Sequence, residues 1–276
     1  MTSKPTAPKV EQTAGQAARG GVHPVEWACE AAATALLLIA GLSAVCFDFG
    51  PSSPLRHFGT SPRLLVTGLL FAGAGSLLAI SPLGRRSGAH LNPVVTIAFW
   101  TQGKVHPHDV AGYIVSQLVG AVTGTAVVAL LWRSQASAVH LGATVPGRGL
   151  NGIEAVLVEA TMTGVLILVI LLMTSGPAAR WTPLVLWPLI AGLVWQGAPF
   201  TGTSMNPARS FGPALLAPRL QPYWIYVVGP LAGGALAVAA FGLWPKRRVL
   251  TAKLFHDPTY PTTFASSLPV AKRSPE

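Results

Sequence analysis

Apolar residues along this chain fall in long runs, without the strict alternation of a half-buried strand or the narrow 3.6-residue stripe of a surface helix. Crossing a hydrocarbon core of about 30 Å takes about 20 residues of helix. Six runs near that length cover residues 27–45, 64–80, 110–132, 153–174, 181–199 and 224–244. Helices that are apolar on every side belong in a large core or a membrane. The pattern therefore predicts an all-α integral membrane protein with six transmembrane helices. Six spans put both termini on the same side.

Two shorter apolar stretches interrupt this plan, "SGAHLNPVVTIAFW" at 87–100 and "GTSMNPARSFGPALLAP" at 202–218. Asparagine is a favoured N-cap, and proline suits the first helical position because its missing N–H would have no partner there. Asn92-Pro93 and Asn206-Pro207 thus read as helix starts. Runs of roughly 8 to 11 residues, about 12 to 16 Å at 1.5 Å per residue, cross only half a membrane. They are predicted to be re-entrant half-helices.

The chain also repeats. "CEAAATALLLI" places Glu30 four residues before Thr34, and "VEATMTGVLILVI" places Glu159 four before Thr163. The third span carries Gly120 and Gly124 in "QLVGAVTG", and the sixth carries Gly229 and Gly233 in "VVGPLAGG". Each half has three spans, an odd number, so the second copy enters from the opposite face and the repeat is inverted. Inverted repeats characterise transport proteins, with the site near the midplane where the copies meet. The organisation read from this is a mobile cytoplasmic tail at 1–22 and a transmembrane channel domain at 23–246. Its repeats run from about 23–134 and about 150–246, and a basic cytoplasmic tail follows at 247–276, of which 257–276 reads as mobile.

Opposed half-helices would meet by their N-termini and aim two positive dipole ends at one spot. If each asparagine oxygen caps its own helix, the NH₂ is left to donate into that spot. Non-helical backbone at this depth survives only beside protein or water, so the loops at 84–91 and 199–205 should line a pore. A carboxylate within a span is expensive unless it faces protein or water. Its presence at matching points of both halves marks Glu30 and Glu159 as functional candidates.

Composition agrees: of 276 residues, 51% are hydrophobic and 10% charged, with mean hydropathy +0.51, which excludes an ordinary soluble domain. A net charge of +10 would suit nucleic acid, but its placement argues otherwise. Thirteen of the 19 Lys and Arg residues fall on the side of the termini, and six (Arg56, Arg63, Arg133, Arg148, Arg209 and Arg219) fall opposite. That bias predicts cytoplasmic termini in a cell membrane, with no nucleic-acid partner. Cys29 and Cys46 give neither a disulfide framework nor metal spacing. No catalytic triad, phosphate loop or ligand cluster is present, so the expectation is no enzyme, no cofactor and no metal.

Together, "SGAHLNPVVT" and "GTSMNPARSFGPA", with Glu30, Glu159 and Arg209 in register, resemble the paired signature of the major intrinsic protein family, the aquaporins and glycerol facilitators. The resemblance covers nearly the whole chain outside the tails. It implies a pore within each protomer of a homotetramer in the lipid bilayer, built around the motifs Asn92, Pro93, Val94 and Asn206, Pro207, Ala208. Val94 stands where the family usually has alanine. Glu30 and Glu159 are implied to accept hydrogen bonds from the loop backbones, and His90 to pack its loop through a backbone bond. The implied constriction is Arg209, Thr203, Val194 and Ala72, with Phe71 replacing Ala72 if the second span carries a one-residue bulge.

The function implied is a passive channel for water, with small uncharged solutes as further cargo, that excludes protons and ions. Three alternatives stay open, one of them a structural or adhesive membrane protein with a pore closed at Val94. Ala72 and Val194 would leave a wide apolar ring suited to glycerol, urea or metalloid acids, whereas Ser210, Ala214, Tyr223 and Trp224 resemble the water-type subgroup. An ion-coupled secondary transporter is a reading of another class, with Glu30 and Glu159 as its only coupling candidates.

Overall fold

The computed structural model describes residues 22–217, 222–244, 246–260 and 262–268. The expectations for residues 1–21 and 269–276, for Pro218 and for Arg219 lie outside the described residues. Every regular element among the described residues is helical. The helices are α1 (Pro24–Phe49), α2 (Thr60–Ile80), α3 (Pro82–Ser87), α4 (Pro93–Thr101), α5 (Pro107–Trp132), α6 (Ser134–Ala138), α7 (Gly152–Met173), α8 (Thr182–Thr201), α9 (Pro207–Leu216) and α10 (Ile225–Gly242). Six stretches, built on α1, α2, α5, α7, α8 and α10, are 18 to 26 residues long and apolar enough to cross a membrane. The nine-residue α4 and ten-residue α9 span half that depth.

Local chemistry sets the boundaries. Pro24 and Pro107 open α1 and α5 from the first turn, where a missing N–H is harmless. Asn151 begins α7 with a reciprocal capping box: its side chain accepts from the Glu154 amide while the Glu154 carboxylate accepts from the Asn151 amide. Gly202, at φ 74°, ends α8 in the left-handed conformation that glycine adopts without a Cβ penalty. Outward-facing Leu77, Val115, Leu130, Leu157 and Leu236 are exposed and suited to lipid. Trp100, Trp181, Trp224 and Trp244 sit half-exposed near helix ends, the headgroup level favoured by amphipathic rings.

The main helix pairs are α1 with α5, α7 with α10, and α2 with α8. The first two lie within a half and the third joins the halves. Glycine permits the close approach: a Cβ on Gly120 would strike the Ala31 carbonyl oxygen, and one on Gly233 the Ala160 carbonyl oxygen. Because Ala31 follows Glu30 as Ala160 follows Glu159, Gly120 and Gly233 are the true counterparts. The sequence shows two glycines in each of these spans, and the packing fixes which of them correspond.

Each half-helix also leans on the other half. In α9, Gly212 lies against Ala121 and Thr125 of α5, and in α4, Val94 lies against Gly234 of α10. The extra methyl groups of Val94 point into this junction, and Val94 is only 2% exposed. The glycine opposite makes room for them.

One expectation is corrected. Residues 257–260 and 262–268, read as mobile, pack onto the face of the protein that carries the termini, here the tail face; the opposite one is the far face. The composition is rich in small residues, but Phe264 is a buried anchor within it, and Val249 and Leu254 just before it are buried as well. Lys246, Arg247 and Arg248, between α10 and this segment, are exposed.

Replacing Gly233 by leucine should overpack the α7–α10 contact, at a cost of about 1 to 3 kcal/mol or more. A lower thermal unfolding midpoint in detergent is expected, while Gly242→Leu, where a Cβ meets nothing within 4 Å, should leave it unchanged. Equal midpoints for the two variants would mean that the helices do not approach this closely.

A candidate pore between two half-helices

The half-helices meet tip to tip, and their asparagines are cross-bonded. Asn92 Oδ1 accepts from the Val94 amide of its own helix at 2.9 Å, and Asn206 Oδ1 from the Ala208 amide at 3.0 Å. The amide of Asn92 donates to the Met205 carbonyl at 2.8 Å, and that of Asn206 to the Leu91 carbonyl at 2.7 Å. The reading that the NH₂ groups are wholly free is therefore corrected. Each amide has two hydrogens; one ties the opposite loop, and the other remains for the passage.

The loops reach these positions by a backbone that doubles back in the same way twice. Gly88, Ala89 and Leu91 have φ of 93°, 54° and 55°, and Gly202, Thr203 and Met205 have 74°, 49° and 53°. Non-glycine residues in this region cost about 1 to 3 kcal/mol each and persist only where their surroundings hold them. Buried carboxylates do the holding. Glu30 accepts from the Leu91 amide and, at 2.9 Å, from the Gln117 side chain. Glu159 accepts from the Met205 amide at 2.8 Å, the Ser204 amide at 2.9 Å and the Thr201 hydroxyl at 2.7 Å.

Sequence reasoning missed a second pair of anchors. The Tyr113 hydroxyl donates to the Ser87 carbonyl at 2.5 Å, and the Tyr226 hydroxyl to the Thr201 carbonyl at 2.9 Å. Their signal was present: each tyrosine lies seven residues before the glycine that its half places against α1 or α7. Tyr223 adds a bond on one side only, to the Pro207 carbonyl at 3.1 Å, and burial pushes its hydroxyl up to about 12. It therefore stays a proton donor at neutral pH.

His90, between Ala89 and Leu91, donates from Nε2 to the Ala252 carbonyl at 2.7 Å, because a carbonyl can only accept. Its Nδ1 lies 3.1 Å from the Thr96 hydroxyl. The ring does not line up with other ligating groups, and no cluster of three His, Cys, Asp or Glu able to hold a metal occurs among the described residues.

The interior holds two chambers in line, and the asparagine tips border the tail-side one. The tail-side chamber, of about 110 Å³, is walled by Leu37, Val95, Leu166, Ile170 and Leu186, with Asn92 and Asn206 as polar points. The far-side chamber, of about 250 Å³, is lined by Val194, Thr203, Gly142 and Thr67 among others. Phe71, Ile190, Ser204, Met205 and Arg209 border both and form the neck. Arg209 is 7% exposed, donates from Nη1 to the Gly142 carbonyl at 2.8 Å, and has its guanidinium carbon 5.5 Å from the centre of the Phe71 ring.

The placement of Ala72 at the neck is corrected: Ala72 borders only the tail-side chamber, and Phe71 faces Arg209. Spacing alone could not make this choice, because one residue of helix rotation separates them. Val194 and Thr203 border the far-side chamber, and Ile190, one turn before Val194, was not foreseen. Pro93, Val94, Pro207 and Ala208 are buried behind the lumen, where they start the half-helices.

Six spans, two opposed half-helices and a lined passage inside one chain define a multi-pass membrane channel. Residues 25–241 match the model of the family described as "Major intrinsic protein". The chain is 40% identical over 185 residues to "Probable aquaporin AqpM" of Archaeoglobus fulgidus, a match covering 64% of this chain and 74% of that protein. It is likewise 40% identical over 162 residues to "Probable aquaporin TIP4-2" of Oryza sativa, covering 57% of this chain and 61% of the relative. The fold superposes on the aquaglyceroporin from Plasmodium falciparum with a TM-score of 0.66 at 22% identity, covering 81% of this chain and 96% of that one. The chain belongs to the major intrinsic protein family, and is a passive membrane channel and not an enzyme.

Glu159→Ala would strand the Ser204 and Met205 amides and the Thr201 hydroxyl. An unpaired buried donor costs about 1 to 3 kcal/mol, so a large drop in thermal stability and in yield of folded protein is expected. Glu159→Gln keeps one acceptor oxygen and should fall between. A wild-type melting curve for the alanine variant would refute the anchoring role.

Proposed function

We propose that this channel passes water in single file and excludes protons and ions, with small uncharged solutes as minor cargo. The observation that carries this reading is the neck, where the Arg209 guanidinium faces the Phe71 ring beside the cross-bonded asparagines. The Phe71 ring lies within cation–π distance of the fixed cation, so the two together crowd one side of the passage and leave its polar edge to Arg209. Selectivity in aquaporin-type pores rests on diameter, lining donors and electrostatic barriers, and all three have residues here.

Water entering the tail-side chamber meets mostly apolar walls, with Ser76 and His90 as isolated polar points. At the tips the remaining amide hydrogens of Asn92 and Asn206 donate to the water oxygen. A molecule so held has its own hydrogens directed away from the tips, which breaks a chain of donors running through the pore. The two half-helix N-termini add about half a positive charge each, and Arg209 adds a full one. A cation thus meets like charge with no carboxylate in the lumen to offset it.

The basic bias toward the tail face supports cytoplasmic termini in a cell membrane. The pore is complete within one chain, consistent with one pore per subunit of a homotetramer. A second reading, a channel chiefly for glycerol, urea or metalloid acids, draws on one observation: α8 presents Ile190 and Val194 to the passage, an apolar edge that suits a solute with a carbon backbone.

Stopped-flow light scattering on proteoliposomes separates these readings. Osmotic shrinkage well above lipid controls, with glycerol and urea entry much slower, is expected; solute entry as fast as water would favour the second. Arg209→Val should raise permeability to larger solutes and to cations. Unchanged selectivity in that variant would place the selective neck elsewhere.

A further inference from the structure

Among the described residues that line the tail-side chamber, Leu254 alone comes from outside the helical repeats. It belongs to the C-terminal segment described over 249–260 and 262–268, which crosses the tail face as a strap without regular secondary structure. The Leu250 amide donates to the Thr174 carbonyl at the end of α7 at 2.9 Å, and the Leu254 amide to the Gly88 carbonyl at 3.0 Å. Between these ties, the Ala252 carbonyl accepts from His90. The strap therefore runs from the second half of the repeat onto the loop leading to Asn92.

The seat is closely shaped. A Cβ on Gly88 would lie 2.9 Å from the Ala252 carbonyl oxygen, so the strap approaches the loop where the loop has no side chain. Val249, Thr251, Ala252, Lys253, Leu254 and Phe264 are buried. Phe264 stacks on His90 at 5.7 Å and meets Tyr113 edge-on at 5.6 Å. The Lys253 ammonium donates to the Arg85 carbonyl at 2.5 Å, and burial pushes it down to about 8. Asp257 pairs with Arg85 at 3.1 Å.

The pseudo-symmetry says what such a segment is for. On the far face, Gly202 matches Gly88, and the backbone of Thr144 lies against it as the backbone of Ala252 lies against Gly88. That far-face loop is part of the pore, since its Gly142 carbonyl holds Arg209. The strap is its counterpart, with two differences. The far-face loop runs between two spans, whereas the strap follows the last one. Its outer tie, the Arg85–Asp257 pair, is partly solvent-exposed, and exposed ion pairs contribute little.

Resting on the proposed channel reading, we infer that residues 249–268 throttle the tail-side mouth, with Leu254 the side chain in the stream and the seating of the strap setting the permeability. Leu254 faces the chamber that holds Ser76, Ala79, Pro183 and Leu186, ahead of the asparagines. An isobutyl group there narrows the approach and offers no hydrogen bond to a passing solute. Unseating the strap removes that group and frees the Gly88 carbonyl for water.

Osmotic permeability per reconstituted protomer tests this. A chain ending after Arg248 and the full chain with Leu254→Ala should both conduct several-fold faster than wild type, and Leu254→Trp should approach the lipid background. In a Cys29→Ser, Cys46→Ala background, Leu254→Cys should lose water flux when labelled with a charged methanethiosulfonate from the tail face. Wild-type flux in both the truncated chain and Leu254→Ala would overturn the throttle while leaving the channel reading intact. So would full labelling of Cys at 254 without loss of flux. If wild type and both opened variants all match the lipid background, the channel reading falls and the throttle with it.

Discussion

Backbone polar groups at membrane depth have no water to satisfy them, and the rest of this structure follows from how that constraint is met at two breaks in the helices. Two loops turn back at mid-membrane with backbone in the left-handed region. Amides left over by the turn would each cost several kcal/mol in hydrocarbon. A buried carboxylate in each half, Glu30 or Glu159, accepts them and fixes the loop end one residue before the asparagine. With the loop fixed, proline starts the half-helix and the asparagine oxygen caps it. The remaining amide can then tie the other half.

That tie makes the two halves one object. Neither half-helix tip is complete alone, because each asparagine donates to a carbonyl of the opposite loop. The packing repeats the same logic at the back, with α9 set on α5 through Gly212 and α4 on α10 through Gly234. The frame is symmetric and its decoration is not. The first half surrounds its loop with His90, Thr96 and Gln117, the second with Ser204, Ser210 and Thr144. Arg209 occurs in the second half alone, so the neck is displaced toward the far face. The copies thus share the contacts that hold the loops and differ in the side chains set around the passage.

Much of this was legible in the sequence because the membrane makes its demands in one dimension. Six runs of spanning length, two Asn-Pro caps and two in-span glutamates mark the frame without any knowledge of contacts. What was not legible depends on rotation about a helix axis or on contact across distance in the chain. Phe71 and Ala72 differ by one residue of rotation, and only the packing of α2 against its neighbours decides which faces Arg209. The glycine correspondence between the halves was open for the same reason, since two glycines per span give two possible registers. The C-terminal segment failed differently. Its composition suggests solvent, and its few apolar residues are sparse, but Phe264 finds a place against His90 and Tyr113 and the Leu254 backbone one against Gly88. Composition cannot reveal a recess on another part of the chain.

The position of the glutamates also bears on how the protein moves its cargo. Coupling transport to an ion requires a group that the passage can reach and that changes state during a cycle. Glu30 and Glu159 are both 0% exposed, and neither borders either chamber. They lie behind the loops, and Glu159 takes three donors from the very residues whose conformation it maintains. Protonating such a carboxylate would weaken the acceptors that hold the turn, so a cycle of charge there would dismantle the pore instead of driving it. The same carboxylates that look like coupling sites in a linear sequence are, in the folded chain, the groups that hold the loops of the passage in place.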